Sequence, residues 1–184
     1  MQFNGLVLCG GKSTRMGEDK SLINYNGDPQ YLYCYNLLSK YCNKVYLSCN
    51  TSQAERFDPL PCIIDKYDGM GPMEGIRNAF EYEPTANWLI IPCDMPFITK
   101  TEIELLIKGR SRSIDAVCFK DKEDINPLFG IWEESCGERL KHYKGDSPKR
   151  FLKSLPINVL QANYKSLINV NDQKEKGLII KSSR

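Results

Sequence analysis

The stretch LVLCGGKSTRMGEDK, residues 6–20, runs from a short apolar segment into a glycine pair and then a basic loop. Glycine lets a backbone approach a phosphate closely because it has no Cβ, and successive main-chain N–H groups can form an anion-binding concavity. Lys12, Arg15 and Lys20 add full positive charges. A strand leading into such a loop predicts a site for a nucleoside triphosphate; a plain turn is the alternative for the loop taken alone.

The spacing of the glycines argues against a P-loop. That motif needs a glycine, four residues and then Gly-Lys-Ser/Thr. Gly11 and Lys12 match its second half, but Leu6 occupies the position of the first glycine, and Gly5 precedes the apolar segment. The spaced glycines of a dinucleotide-binding loop are missing as well. A P-loop-type kinase, with Lys12 on the phosphates, remains an alternative.

The composition is that of a globular protein. The chain has 184 residues, of which 41% are hydrophobic and 26% charged, and this is enough for one domain with a substantial core. We expect that single domain to span residues 1–184. The formal net charge of +2 is too small to indicate nucleic-acid binding, so an anionic substrate would have to meet local positive charge.

The cysteines and the single histidine bear on whether the chain holds a zinc site or disulfides. There are eight cysteines and one histidine, and no two cysteines have C-x-x-C spacing, which disfavours a zinc site or a disulfide framework. We expect reduced thiols in a cytoplasmic protein. The first residues lack the pattern of a secretory signal, and no apolar run is long enough to span a bilayer, so we expect no membrane partner.

Short apolar runs alternate with longer amphipathic stretches. The predicted strands are 3–9, 44–49, 62–64, 88–92, 116–119, 127–132 and 157–160, and the predicted helices are 29–41, 73–82, 99–108, 133–143, 147–154 and 172–181. This alternation is typical of a three-layer α/β/α domain with a mainly parallel, twisted sheet. Ligands bind beyond the carboxyl ends of strands in such sheets, so we expect the loops after Cys9, Cys49, Ile64 and Cys93 to share one edge.

A single carboxylate follows the apolar run at 88–93. Mg²⁺ is typically held by one or two carboxylates together with substrate phosphates, so Asp94 is a candidate magnesium ligand. Its alternative role is to cap the next helix. Thr99 fills that role better, because it stands three residues before Glu102, as in a capping box.

Two segments resemble a known family. From Leu8 to Lys20 the chain reads Leu-x-Gly-Gly-x-Ser-x-Arg-Met-Gly-x-Asp-Lys, which resembles the N-terminal motif of the molybdenum cofactor guanylyltransferases, the MobA family. Cys-Asp-Met-Pro-Phe at 93–97 resembles the family's second motif. The resemblance implies a Rossmann-like nucleotidyltransferase fold and transfer of GMP from GTP to molybdopterin or molybdenum cofactor. Pyrophosphate would be released, with Mg²⁺ as the cofactor.

The resemblance also implies the site residues. The nucleotide-binding set is Leu8, Cys9, Gly10, Gly11, Lys20, Ser48, Asp65 and Asp94; the catalytic set is Arg15, Lys20 and Asp94; and the metal ligands are Asp94 and Asn171. Asp65 would accept hydrogen bonds from the guanine or from ribose hydroxyls. Ser48 departs from the family pattern, which often has asparagine there. Asn171, in a late Asn-Val-Asn segment, has the alternative role of a helix N-cap.

Two other segments carry weaker signals. GPMEG at 71–75 resembles the family's Gly-Pro-x-x-Gly turn into a helix. Residues 141–153 concentrate positive charge, which usually means a solvated helix face. Contact with the phosphate of a second substrate is the functional alternative.

The implied chemistry needs no general base, because a phosphate acceptor has its second pKa at ~6 and is already ionised. Catalysis would rest on positioning and charge neutralisation, with Arg15 and loop N–H groups on the triphosphate and Lys20 at the α-phosphate. Alternatives are CMP transfer to the same cofactor, nucleotide transfer to a sugar phosphate, a P-loop-type kinase, and a non-catalytic nucleotide sensor. The expected partners are GTP and the cofactor, with transient contact to proteins that donate or accept it.

Overall fold

A seven-stranded sheet forms the centre of the computed structural model, which describes residues 3–10, 19–67, 71–121, 124–161, 164–168 and 170. Its strands are β1 (Asn4–Leu8), β2 (Val45–Cys49), β3 (Cys62–Ile64), β4 (Trp88–Pro92), β5 (Ala116–Asp121), β6 (Asp124–Trp132) and β7 (Ile157–Gln161). They lie in the order β3-β2-β1-β4-β6-β5-β7. Only β6, within the described sheet, runs antiparallel to its neighbours β4 and β5. The prediction of a mainly parallel sheet is confirmed.

Helices cover both faces of this sheet. They are α1 (Gln30–Leu38), α2 (Thr51–Phe57), α3 (Pro72–Tyr82), α4 (Lys100–Lys108), α5 (Ser135–His142) and α6 (Pro148–Lys153), with short 3₁₀ turns at Lys20–Leu22 and Tyr164–Leu167. One core layer contains buried side chains of α1, α2 and α4, among them Leu38, Phe57 and Leu106. The other contains buried side chains of α3, α5 and α6. The arrangement is the predicted α/β/α sandwich.

The first four strands are parallel to one another along β3-β2-β1-β4, so their carboxyl ends meet at one edge. In register, Leu8 lies opposite Ser48 on one side and Pro92 on the other. The loops that follow β1, β2, β3 and β4 therefore leave the sheet together, as the alternation of elements predicts. We refer to this as the carboxyl edge.

Several element boundaries differ from the sequence prediction. Helix α2 is absent from that prediction, because TSQAERF has too few apolar residues to show a helical period. Pro29, the first residue of the helix predicted at 29–41, is the N-cap of α1, and α6 begins at Pro148, one residue after the predicted start. The capping box of Thr99 and Glu102 is confirmed. The helix predicted at 172–181 lies outside the described residues.

All eight cysteines are free thiols. Burial raises the pKa of the Cys9 and Cys34 thiols well above the ordinary value, so both stay protonated and serve as small apolar side chains in the core.

Candidate active site

The end of β1 packs tightly against the end of β2. The N–H groups of Cys9 and Gly10 both donate to the Ser48 carbonyl oxygen, at 2.9 and 3.1 Å. A Cβ on Gly10 would lie 2.7 Å from Asp65 Oδ2, which is closer than such atoms approach in folded proteins. Glycine is therefore needed at position 10 for a close approach of backbone to carboxylate, and this approach brings three predicted site residues together.

Ser48 orients Asp65. The Ser48 hydroxyl is buried and donates to Asp65 Oδ1 at 3.0 Å, and the Asp65 N–H donates to the Cys49 carbonyl at 2.8 Å. Helix α3 passes directly behind, and a Cβ on Gly75 would collide with Ser48 Oγ. The glycine that ends the Gly-Pro-x-x-Gly segment thus makes room for the pair. A nucleotide contact by Ser48 itself stays a prediction.

Lys20 and Asp94 face each other across the carboxyl edge. The Lys20 ammonium lies 3.9 Å from Asp94 Oδ2, and both side chains are mostly buried. The second oxygen, Asp94 Oδ1, is buried and has no hydrogen-bond partner among the described residues. Burial raises the pKa of the Asp94 carboxyl, and the charge of Lys20 offsets part of this effect. A buried, unpartnered carboxylate oxygen is costly unless something binds it.

That oxygen fits a divalent cation shared with a substrate. The described ranges contain no group of three or more His, Cys, Asp or Glu side chains that would enclose a metal by themselves. Mg²⁺ does not require one, because it is commonly held by one or two carboxylates, water and substrate phosphates. In such a site Asp94 would offer the carboxylate, and the remaining positions would be left to water and substrate.

The late part of the chain returns to Asp94. The Val170 N–H donates to the Asp94 carbonyl oxygen at 2.8 Å. The preceding turn is tied to α4, since Ser166 Oγ donates to Glu102 Oε1 at 2.6 Å in a buried position. This brings Val170, the central residue of the Asn-Val-Asn segment, to the carboxyl edge. Asn171 lies outside the described residues, as do Gly11, Lys12 and Arg15, so their predicted roles stay predictions.

Two functional candidates were missed by sequence reasoning. Asp19 caps the 3₁₀ turn that begins at Lys20 and accepts hydrogen bonds from the Ser21 N–H and hydroxyl, at 3.0 and 2.7 Å. Gln53, on α2, donates to Asp19 Oδ2 at 2.9 Å. Asp19 is visible in the N-terminal motif, but its partner is 34 residues away in a helix that lacks a periodic signal.

The basic stretch at 141–153 consists largely of surface ion pairs. Lys149 and Lys153 both contact Asp124, at 3.3 and 2.7 Å, and Lys141 pairs with Glu138. All three lysines are exposed. This favours the solvated helix face over a dedicated phosphate contact.

A cavity of about 610 Å³ lies at the opposite edge of the sheet, lined by residues including Asn87, Asp115 and Glu133. These precede β4, precede β5 and follow the antiparallel β6. In parallel sheets the ligand site is at the carboxyl ends of the strands. The cavity at the amino ends is therefore not the nucleotide site.

Comparison with known proteins shows which family the chain resembles. A family model described as a MobA-like NTP transferase domain matches residues 5–159. A molybdenum cofactor biosynthesis bifunctional protein from Synechocystis sp. is 36% identical over 95% of this chain, which spans about half (53%) of that relative. A molybdenum cofactor guanylyltransferase from Serratia proteamaculans is 28% identical, with 96% of this chain and 97% of the relative covered.

Solved structures share the fold. The molybdopterin-guanine dinucleotide biosynthesis protein A of Archaeoglobus fulgidus superposes with a TM-score of 0.80 at 21% identity, covering 98% of each chain. None of the helices in the part of the chain that the structure describes has the length and apolar character needed to cross a membrane.

Proposed function

The chain belongs to the MobA-like NTP transferase family, and we propose that it transfers GMP from GTP to the phosphate of molybdopterin or molybdenum cofactor, releasing pyrophosphate. The choice of guanine and of this acceptor is supported by relatives named molybdenum cofactor guanylyltransferase, which align along 92–97% of their own length. The P-loop alternative loses its support, because Gly5 lies inside β1, where it pairs with Val45 and Leu89, and not in the loop after the strand.

The observation that carries the proposal is the opposition of Lys20 and Asp94. Their charged atoms are 3.9 Å apart at the edge where ligands bind in such sheets, and Asp94 retains a buried oxygen without a partner among the described residues. A cation and a free carboxylate oxygen, side by side, fit a phosphate and the metal ion that accompanies it. A metal ion held in this way supports in-line displacement at phosphorus.

Each residue of the site then has a defined task. The loop that begins at Gly10 and Gly11 binds the triphosphate through its N–H groups, and Arg15 adds charge there. Lys20 neutralises charge developing at the α-phosphate. Asp65, held by Ser48, accepts hydrogen bonds from the guanosine. Each of these places a fixed charge or dipole where the reaction needs it, which is the main source of catalysis in such transfers.

Asp94 and Asn171 would hold Mg²⁺. When bound, this ion neutralises phosphate oxygens and favours in-line geometry. The acceptor's ionised phosphate oxygen forms the new bond to the α-phosphorus while the α–β bridging bond breaks and pyrophosphate leaves with the electron pair. No proton transfer is required of the protein, which agrees with the position of the chain's single histidine, His142, exposed at the end of α5.

Product analysis tests the proposal. The purified protein is incubated with molybdopterin, Mg²⁺ and, in turn, GTP, CTP, ATP or UTP, and pyrophosphate and the dinucleotide product are quantified. We expect both products with GTP and little turnover with the other nucleotides. A preference for CTP would show that the protein transfers CMP instead of GMP. Release of a nucleoside diphosphate would indicate a kinase, and nucleotide binding without turnover would indicate a sensor. We place the reaction in the cytoplasm, with transient contact to proteins that supply or receive the cofactor.

A further inference from the structure

A single buried glutamine, Gln53, contacts Cys9, which precedes the glycine loop, and Asp19, the last residue of this loop, which we define as residues 10–19. Gln53 Nε2 donates to the Cys9 carbonyl oxygen at 3.2 Å, immediately before the loop, and to Asp19 Oδ2 at 2.9 Å, at its last residue. An amide nitrogen has two hydrogens, and here each has its own acceptor. One side chain of α2 therefore joins Cys9 to Asp19.

The orientation of this amide is fixed by the start of α2. Gln53 Oε1 accepts from the Asn50 N–H at 3.2 Å, and Asn50 Oδ1 accepts from the Gln53 N–H at 3.0 Å, completing a capping box. With the oxygen used at the helix cap, the nitrogen faces the loop. Gln53 is 5% exposed, so water does not compete for these contacts.

The contact continues from Asp19 to the reacting edge. The other Asp19 oxygen caps the turn of Lys20–Leu22 through the N–H and hydroxyl of Ser21. Lys20 projects from that turn to within 3.9 Å of Asp94. Gln53 is thus linked to Lys20 through the carboxylate of Asp19 and acts on Lys20 only indirectly.

We propose that Gln53 is a positioning residue that joins Cys9 to Asp19 and, through Asp19, sets Lys20 against Asp94. Its catalytic consequence rests on the proposed function, whereas its structural consequence does not. A charged hydrogen bond between buried groups holds geometry well, and a misplacement of about 1 Å near a reacting centre costs on the order of 10²-fold in rate.

Gln53→Glu separates the loop contact from the helix cap. Glutamate completes a capping box as well as glutamine does, but it has no hydrogen to give to Cys9 or Asp19 and brings a second carboxylate to Asp19. We expect kcat/KM for pyrophosphate release to fall by about 10- to 100-fold, mostly in kcat. Gln161→Glu, at the exposed end of β7, makes the same chemical change away from the site and should leave both parameters unchanged.

A reversed pair provides the rescue. Asp19→Asn alone leaves a single oxygen for the donors of Ser21 and of Gln53, so one of these contacts is lost, and it should also lower kcat. In Asp19→Asn/Gln53→Glu the new asparagine donates to the new glutamate, and we expect at least tenfold recovery over the product of the single effects. Normal kcat and KM in Gln53→Glu, or no recovery in the double variant, would overturn the proposal. If Gln53→Glu does not fold, Asp19→Asn and the double variant decide the matter.

Hydrogen exchange keeps this inference separate from the proposed reaction. The Ser21 N–H, bonded to Asp19, should exchange faster in Gln53→Glu than in the parent protein, while the amides of α4 keep their rates. An unchanged Ser21 rate contradicts the positioning role even if pyrophosphate is released. A parent protein that releases no pyrophosphate contradicts the proposed function even if Ser21 responds.

Discussion

The Val170 N–H donates to the Asp94 carbonyl oxygen at 2.8 Å, which joins the last described residue to the loop that follows β4. Residues from three distant parts of the sequence meet here, because Lys20 approaches the same aspartate by its side chain. The metal-binding proposal for Asp94 therefore concerns a residue whose backbone and side chain are both fixed by tertiary contacts.

Asp94→Asn should abolish transfer while preserving the fold. Asparagine keeps the shape of the side chain and the Val170 contact but removes the charge that a divalent cation needs. We expect Mg²⁺ or Mn²⁺ with GTP to raise the Tm of the parent protein and to have no such effect on the variant, measured by differential scanning fluorimetry. Turnover near the parent level in Mg²⁺ would exclude the metal role.

Ser166→Ala should make the protein more sensitive to acid. Burial of Glu102 favours its neutral form, but hydrogen bonds from Ser166 and Thr99 favour the carboxylate and outweigh burial, so its pKa is lowered. A carboxylate with a lowered folded-state pKa stabilises the fold above its unfolded-state pKa, and this contribution is lost as pH falls through the folded value.

The measurement for this prediction is an acid titration followed by circular dichroism. Removing the Ser166 hydroxyl raises the Glu102 pKa, so the midpoint of acid unfolding should move to higher pH. At neutral pH the loss of one charged hydrogen bond should reduce the free energy of unfolding by about 1.5–3 kcal/mol. Ser154→Ala, whose hydroxyl only donates to the Phe151 carbonyl, is the matched control and should leave the acid midpoint in place.

Gly75→Ala tests the close packing behind Asp65. The new Cβ collides with Ser48 Oγ and would displace the hydroxyl that orients Asp65. Since α3 is a helix, alanine at an open position would favour it, so a loss of stability isolates the collision. We expect a lower Tm and a higher KM for GTP, and the double variant Ser48→Ala/Gly75→Ala should recover Tm, as a double-mutant cycle will measure. A Tm at or above the parent value in Gly75→Ala alone would contradict this account.

Much of the fold could be predicted from the sequence, because its strands are short, continuous apolar runs. Trp88–Pro92 and Cys62–Ile64 have the predicted bounds, and the expected meeting of loops at one edge follows from parallel pairing alone. The grouping of Gly10, Asp65 and Asp94 at that edge could therefore be anticipated. Helix α2 could not, since its stability comes from the capping box at Asn50 and from burial of Phe57 rather than from a periodic pattern.

The contacts between the site residues were harder to predict than the identity of those residues. Ser48 and Asp65 were both expected near the nucleotide, but their mutual hydrogen bond depends on the register of β2 and β3, in which Cys49 lies opposite Ile64. Helix α3 passes so near Ser48 that a Cβ on Gly75 would collide with the Ser48 hydroxyl. Neither the Ser48–Asp65 hydrogen bond nor the close approach of Gly75 to Ser48 can be predicted from the spacing of these residues in the sequence.

Lys20→Ala should impair transfer more than Lys12→Ala. Lys20 lies 3.9 Å from Asp94, in a turn capped by Asp19, so its charge is held in place before substrate arrives. Removing such a preorganised charge costs on the order of 10²–10³ in rate. In a P-loop the important lysine would instead be Lys12, following the glycine at position 11.

The two variants are assayed side by side for pyrophosphate release from GTP with molybdopterin, and their GTP affinity is measured by thermal shift. We expect Lys20→Ala to lose mainly kcat and Lys12→Ala to change mainly KM; an inactive Lys12→Ala beside an active Lys20→Ala would reverse the assignment and restore the kinase alternative.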